Sequence, residues 1–325
     1  MLQETIVISR AGGPEVLVPQ QRPVPAPGPD EVLIRVRWAG INRHDCGQRS
    51  RGPSTHESDV PGLEVAGHVE AVGANVRGLA PGAEVCALVD GGGYAQYATA
   101  HRALVLPRPD TLTLQEAACF PEAAFTVWYN FFSVAAMQPG ERVLIHGGTS
   151  GIGVFAIQLL RALGHSVYAT SGSEEKAAFA RSLGAARVFN YKTEAFAEVM
   201  AREGLAADVI LDMSGGRHTE QNLAALAYGG RIVHLSGGSG APLQASLRAI
   251  MQKEARITGS LMRPLPLDRK TRVAEALRSA VWPLLGTAIR PVIHRTYPLA
   301  QAAQAHRDME TGDHIGKLLL DVQPS

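Results

Sequence analysis

The chain has 325 residues, room for two domains at roughly 100–200 residues apiece. Its 31 Lys and Arg offset 30 Asp and Glu to a net charge of +1, so no electrostatic footprint for DNA, RNA or an anionic membrane is expected. Cys46, Cys86 and Cys119 are too few and too scattered for a disulfide framework or a structural zinc lobe, and the scarce aromatics argue against base-stacking platforms.

Residues 1–120 read as short strands and turns. MLQETIVISR carries charge where a signal peptide has an apolar core, and no apolar run reaches about 18 residues, so the expectation is a soluble, cytoplasmic, reduced protein. EVLIRVRWAG (31–40) sets Val32, Ile34, Val36 and Trp38 against Arg35 and Arg37, the period of a half-buried strand. Further strands are expected at 64–72 and 84–89, between Pro and Gly turns, giving an irregular, mostly antiparallel β domain.

From residue 142 strands and helices alternate. RVLIH (142–146) is followed by a helix over 152–163, with Ile152, Phe155, Ala156, Leu159, Leu160 and Leu163 on one face. Strands at 166–170, 187–190, 208–213, 231–236 and 256–260 then alternate with helices at 174–183, 193–202, 218–227 and 243–252. This is an α/β pattern, a doubly wound parallel sheet of the Rossmann kind. RPLPLDRKTR (263–272) reads as a linker. A helix over 273–285, a strand at 290–299, a helix near 300–310 and a strand at 317–322 complete the chain. That tail is too short for a core of its own and is expected to return to the first domain.

HGGTSGIG (146–153) lies between a strand and an amphipathic helix. Gly148, Ser150 and Gly153 fill the three positions of a G-x-G-x-x-G fingerprint, with Ser at the middle one, and Gly151 and Ile152 complete the turn. Such a turn brings backbone N–H groups and a helix N-terminus to a dinucleotide pyrophosphate. The second strand ends in Thr170-Ser171-Gly172-Ser173 rather than in the acid that an NAD ribose wants. Ser171 and the nearby Lys176 suit a 2′-phosphate and point to NADPH, while Ser173 also reads as a helix N-cap and Lys176 as a solvated surface charge.

Together these segments resemble the medium-chain dehydrogenase/reductase superfamily, and within it the zinc-free, zeta-crystallin-like quinone oxidoreductases. The likeness includes AGINRHD (39–45), PGLEVAGHVEAVG (61–73), FPEAAFTVWY (120–129), VLIHGGTSGIG (143–153), GHSVYATSGSEEK (164–176), LGAARVFNY (183–191), GGRIVHLSGG (229–238) and HIGKLLL (314–320). It implies a GroES-like β-barrel substrate domain from 1–122 and 265–325, with a Rossmann domain inserted at 123–264. Zinc alcohol dehydrogenases have Cys at the position of Asn42 and His at that of Leu63, so no metal is expected. His44, Cys46 and His68 lack the spacing to replace those ligands.

The resemblance implies that Asn42 and Asp45 are the catalytic residues, beside nicotinamide and substrate, and that Thr126 lies near the carboxamide or ribose. Lys176 and Tyr191 would flank the adenosine phosphate, with Gly237, Leu261, His314 and Lys317 along the rest of the cofactor groove. Family members often carry a tyrosine shortly after the NRxD stretch; here 46–58 has no aromatic, leaving Arg49, Arg51 or a water as stand-ins. The expected activity is hydride transfer from NADPH to quinones without zinc, in a homodimer or larger assembly. The alternatives are an NADPH-dependent enone or 2-alkenal reductase, and a catalytically weak NADPH-binding sensor, structural or RNA-binding protein.

Overall fold

A computed structural model describes residues 1–55, 57–237, 240 and 242–323. The chain divides into two compact units, Met1–Ala123 with Pro266–Ser325, and Ala124–Leu265.

In the first unit, strand Glu31–Ile41 is the spine. It pairs antiparallel with Glu64–Val72, Tyr97–His101 and Lys317–Asp321, so the end of the chain is built into the N-terminal sheet. Val32, Ile34 and Val36 are fully buried, as the alternation predicts. Trp38 is half-buried instead. A register shift between Val36 and Trp38 inserts a bulge, after which Ala39 and Ile41 take the inward positions. The Arg37 guanidinium covers the Trp38 ring at 4.7 Å. The sheet continues through Glu84–Leu88 to Val105–Pro107 on one side and through Ile293–Pro298 on the other.

In the second unit, six parallel strands lie in the spatial order Arg187–Asn190, Ser166–Ser171, Arg142–Ile145, Ala207–Asp212, Leu226–His234 and Arg256–Gly259. The order reverses beside Arg142–Ile145, the topological switch point where doubly wound sheets bind ligands. Leu144, Phe189, Phe196, Met200, Ile210 and Ile232 belong to one core cluster.

Two expectations change. Strand Leu226–His234 begins before RIVHLS, carried through Gly229 at φ +71°. The segment read as a linker is largely helix, Leu267–Ala276. It buries only Val273, Ala274 and the Lys270 stem, and the Lys270 ammonium donates to Asp90 Oδ1 at 2.6 Å. That narrow contact face is why the segment reads as polar. The expected helix over 273–285 is its continuation, through a π-turn at Leu277–Val281 and a 3₁₀ turn at Trp282–Leu284.

Candidate active site

In Ala124–Leu265, strand Arg142–Ile145 leads through Gly147 and Gly148 to helix Gly151–Ala162. Gly147 has φ +72°, in the left-handed region. A β-carbon on Gly148 would stand 2.7 Å from Ala169 Cβ, and one on Gly153 would stand 2.3 Å from the Gly147 carbonyl oxygen. Both positions therefore demand glycine. Ser150, at the middle position of the fingerprint, is the helix N-cap. Its Oγ accepts from Gly153 N at 3.1 Å and donates to Gly147 O at 2.8 Å. Gly151 and Ile152 occupy the first turn, where backbone N–H groups have no partner within the helix and lie at its positive end, as an anion site requires.

Thr170 braces the turn from the neighbouring strand. Its carbonyl accepts from Gly148 N at 2.9 Å and its hydroxyl from Gly147 N at 3.3 Å. His146 Nδ1 lies 3.1 Å from that hydroxyl and Nε2 lies 2.7 Å from Asn222 Oδ1, while Asn222 Nδ2 donates to Asp212 Oδ2 at 2.9 Å. Burial holds His146 below the usual histidine pKa, so a neutral ring links the ends of three adjacent strands.

The second strand ends as Ser171-Gly172-Ser173. Ser171 is buried, its Oγ donating to Ser173 O at 3.2 Å. Ser173 caps helix Glu174–Ser182 by accepting from Lys176 N at 3.3 Å. Tyr191 leans over this turn: a β-carbon on Gly172 would come 2.6 Å from its hydroxyl and 3.4 Å from Lys192 Cε. Ser171, Tyr191 and the first helical turn bearing Lys176 thus meet at one strand end. Lys192 is an addition that the sequence reading missed, its one signal being its place beside Tyr191.

Thr126 is buried on helix Pro121–Trp128, which continues as a π-helix over Tyr129–Val134. Asn130, within the π-turn, donates from Nδ2 to Thr126 O at 2.8 Å and accepts from Ser260 Oγ at 2.7 Å. Ser260 precedes Leu261, which is exposed. Asn130 therefore ties together Thr126 and the segment of Leu261, two residues the resemblance names separately. Gly237 lies in the loop after strand Leu226–His234, with nothing within 4 Å of a β-carbon placed on it. Its neighbour Gly238 falls outside the described residues.

In the other unit, Asn42 caps helix Arg43–Arg51, and its backbone N–H donates to Asp45 Oδ2 at 2.9 Å. Its amide is fixed at both ends. Nδ2 donates to Glu64 Oε1 at 2.9 Å, and Oδ1 accepts from Lys317 Nζ at 2.9 Å. Lys317 also pairs with Glu64, whose Oε2 accepts from Glu122 N at 2.9 Å. Cation and carboxylate together dictate which way the amide faces. Gly40 makes the room, since a β-carbon there would come 2.2 Å from Glu64 Oε1. The resemblance assigns Lys317 to the cofactor groove; here it is 5% exposed, with its ammonium held by Glu64 and Asn42.

Asp45 is fully buried, a support for Asn42 rather than a surface acid. Tyr94 OH donates to Asp45 Oδ2 at 2.9 Å and lies 3.0 Å from His306 Nε2. Arg49 Nη1 approaches His306 Nδ1 at 3.5 Å, and its Nη2 donates to Glu310 Oε1 at 2.5 Å. Tyr94 OH thus donates to Asp45, with His306 behind it and Arg49 between His306 and Glu310. Burial lowers His306 to about 4 and pushes Tyr94 well above the usual phenol value. Arg49 is thereby committed inside the unit and is not the missing tyrosine's stand-in; Arg51 is exposed, 3.8 Å from Glu57. The His314 ring centroid is 6.4 Å from that of His294.

Cys46, Cys86 and Cys119 are buried, and burial raises their thiols, Cys46 to about 12. Among the described residues no three His, Cys, Asp or Glu side chains gather to hold a metal ion, and no helix is long and apolar enough to cross a membrane.

A six-stranded sheet with this order and glycine turn, inserted in a β unit of this topology, is the medium-chain dehydrogenase/reductase fold, the architecture of an oxidoreductase. The pattern described as alcohol dehydrogenase GroES-like domain matches residues 28–110, and that described as zinc-binding dehydrogenase matches 151–280. Mouse quinone oxidoreductase is 33% identical over 98% of both chains. The quinone oxidoreductase of Thermus thermophilus, solved alone and with NADPH, superposes with a TM-score of 0.83 at 30% identity, covering 98% of this chain and 100% of that one. A structure of an NAD-dependent alcohol dehydrogenase gives 0.85 at 31%, with the same coverage. The chain belongs to the zeta-crystallin-like quinone oxidoreductases of the medium-chain dehydrogenase/reductase superfamily.

Proposed function

We propose that the protein is an NADPH-dependent quinone reductase that works without zinc. The observation that carries this is the end of strand Ser166–Ser171. It offers no carboxylate to a ribose 2′-hydroxyl, and Tyr191 and Lys192 lean over Gly172 with Lys176 one helical turn away. Hydroxyls and ammonium groups suit a 2′-phosphate. NADPH, when bound, supplies a hydride. The turn Gly147–Gly153 would hold its pyrophosphate, and Asn130 would keep Thr126 and the Ser260 segment in place for its nicotinamide end.

The donor set beside Asn42 supports chemistry without a metal. Leu63 has no donor atom, and the Asn42 amide oxygen already faces an ammonium. Quinones suit such a site because they accept hydride with little activation, the product being aromatic. The exposed Leu247 and Met251, on the helix before the sheet-edge strand Arg256–Gly259, favour a homodimer through that edge. Light scattering tests it, and a monomer refutes it.

The main test is NADPH and NADH oxidation with ortho- and para-quinones and an enone panel in metal-free buffer. Turnover is expected with NADPH and quinones. A zinc requirement, or turnover of enones alone, overturns the reading. Replacing Lys176 and Lys192 together by Ala should weaken NADPH by roughly tenfold to a hundredfold and NADH little. An equal loss for both cofactors removes the assigned 2′-phosphate contacts.

A further inference from the structure

Asp45 has a second oxygen that the supporting chain does not use. Oδ2 takes both Asn42 N–H and Tyr94 OH, whereas Oδ1 is buried with no hydrogen-bond partner. One other buried orphan atom lies beside it, His44 Nδ1, at 3.8 Å. That is an ion-pair separation rather than a hydrogen bond, of the kind that tightens when a site is engaged. The His44 side chain is 31% exposed although its Nδ1 is buried, so the accessible nitrogen of the ring is Nε2. His44 follows Asn42 by two residues in the first turn of helix Arg43–Arg51, and residues 46–58 contain no phenol.

We propose that His44 is the proton donor to the reduced acceptor, oriented by Asp45 Oδ1. This rests on the reductase reading. Hydride transfer leaves a quinone as an oxyanion. The new O–H bond forms as the Nε2–H bond of the His44 imidazolium breaks, while Nδ1–H stays toward Asp45. A solvent proton recharges Nε2 through the exposed edge of the ring. NADPH, quinone and one proton thus become NADP⁺ and hydroquinone. Asp45 acts through His44 and is a positioning residue.

The experiment compares wild type with His44→Gln and His44→Ala, using 1,4-benzoquinone and 9,10-phenanthrenequinone as probes. Proton donation by a placed side chain is worth about 10²–10⁴-fold, so kcat should fall by about a hundredfold or more. The NADPH dissociation constant should hold within about twofold, the solvent deuterium isotope effect on kcat should change, and added imidazole should restore part of the His44→Ala rate. Variants with wild-type kcat and an unchanged isotope effect overturn the inference alone. So does a loss of NADPH affinity in parallel with kcat and no imidazole rescue, which marks a structural role. A wild type inert toward every quinone overturns the reductase reading, and this inference with it.

Discussion

The two units brace their candidate sites by opposite means. Under the glycine turn of Ala124–Leu265 the groups that touch the turn and their first partners are neutral, a backbone carbonyl, a threonine hydroxyl, an uncharged His146 and an amide, and a buried carboxylate, Asp212, enters only at the far end. Under Asn42 the supports are buried ions, Glu64 with Lys317 and Asp45 in line with Tyr94, His306 and Arg49. A neutral link costs about one hydrogen bond when cut. Removing one ion strands its partner, charged and away from water. The unit that holds Asn42 should therefore be the more brittle around its candidate site and the more sensitive to acid.

The widest separation between the units is expected for Lys317→Met. Leaving Glu64 buried without its cation should cost about 3–5 kcal/mol by denaturant unfolding, and binding of 2′-phospho-ADP-ribose, proposed for the Ser171–Ser173 strand end of the other unit, should persist. A variant as stable as wild type would erase the contrast.

Acid provides the next test. Folded His306 titrates at about 4 and an unperturbed histidine at 6.5, so between those values the unfolded chain binds more protons than the folded one. The stability this group contributes is full above pH 6.5 and drains away as pH falls toward 4, by on the order of 3 kcal/mol. His306→Gln should show a shallower acid limb in melts at pH 7, 5.5 and 4.5. Identical limbs would move the acid sensitivity elsewhere.

The smallest effect is expected for Gly153→Ala. Its new β-carbon must displace the Gly147 carbonyl, costing roughly 1–3 kcal/mol, and dinucleotide binding should weaken more than overall stability. Retained NADPH affinity with lost stability would detach the turn from the cofactor.

The same contrast decides what could be read from the sequence. The inserted unit is written in local code, strand, turn and helix within about thirty residues, so its sheet, its glycines and the Ser171 strand end are visible in order. Its misses, Asn130 and Lys192, act through a π-turn and a lean across a neighbouring strand, which no periodicity reports. In the other unit Asn42 is legible as a motif residue, but its supports are not. Lys317 lies 253 residues from Glu64, and His306 lies 212 from Tyr94. The bulge at Val36 likewise turns a simple alternation aside, because register is settled by the partner strand.

That separation of Glu64 from Lys317 also orders events in time. On the ribosome, everything needed for the sheet of Ala124–Leu265 is present before strand Lys317–Asp321 has been made. Domains fold as units during synthesis, so Ala124–Leu265 can finish while the Glu64 carboxylate still waits for its cation. The unit Met1–Ala123 with Pro266–Ser325 is therefore completed last, when the final strand brings Lys317 to Glu64 and Asn42.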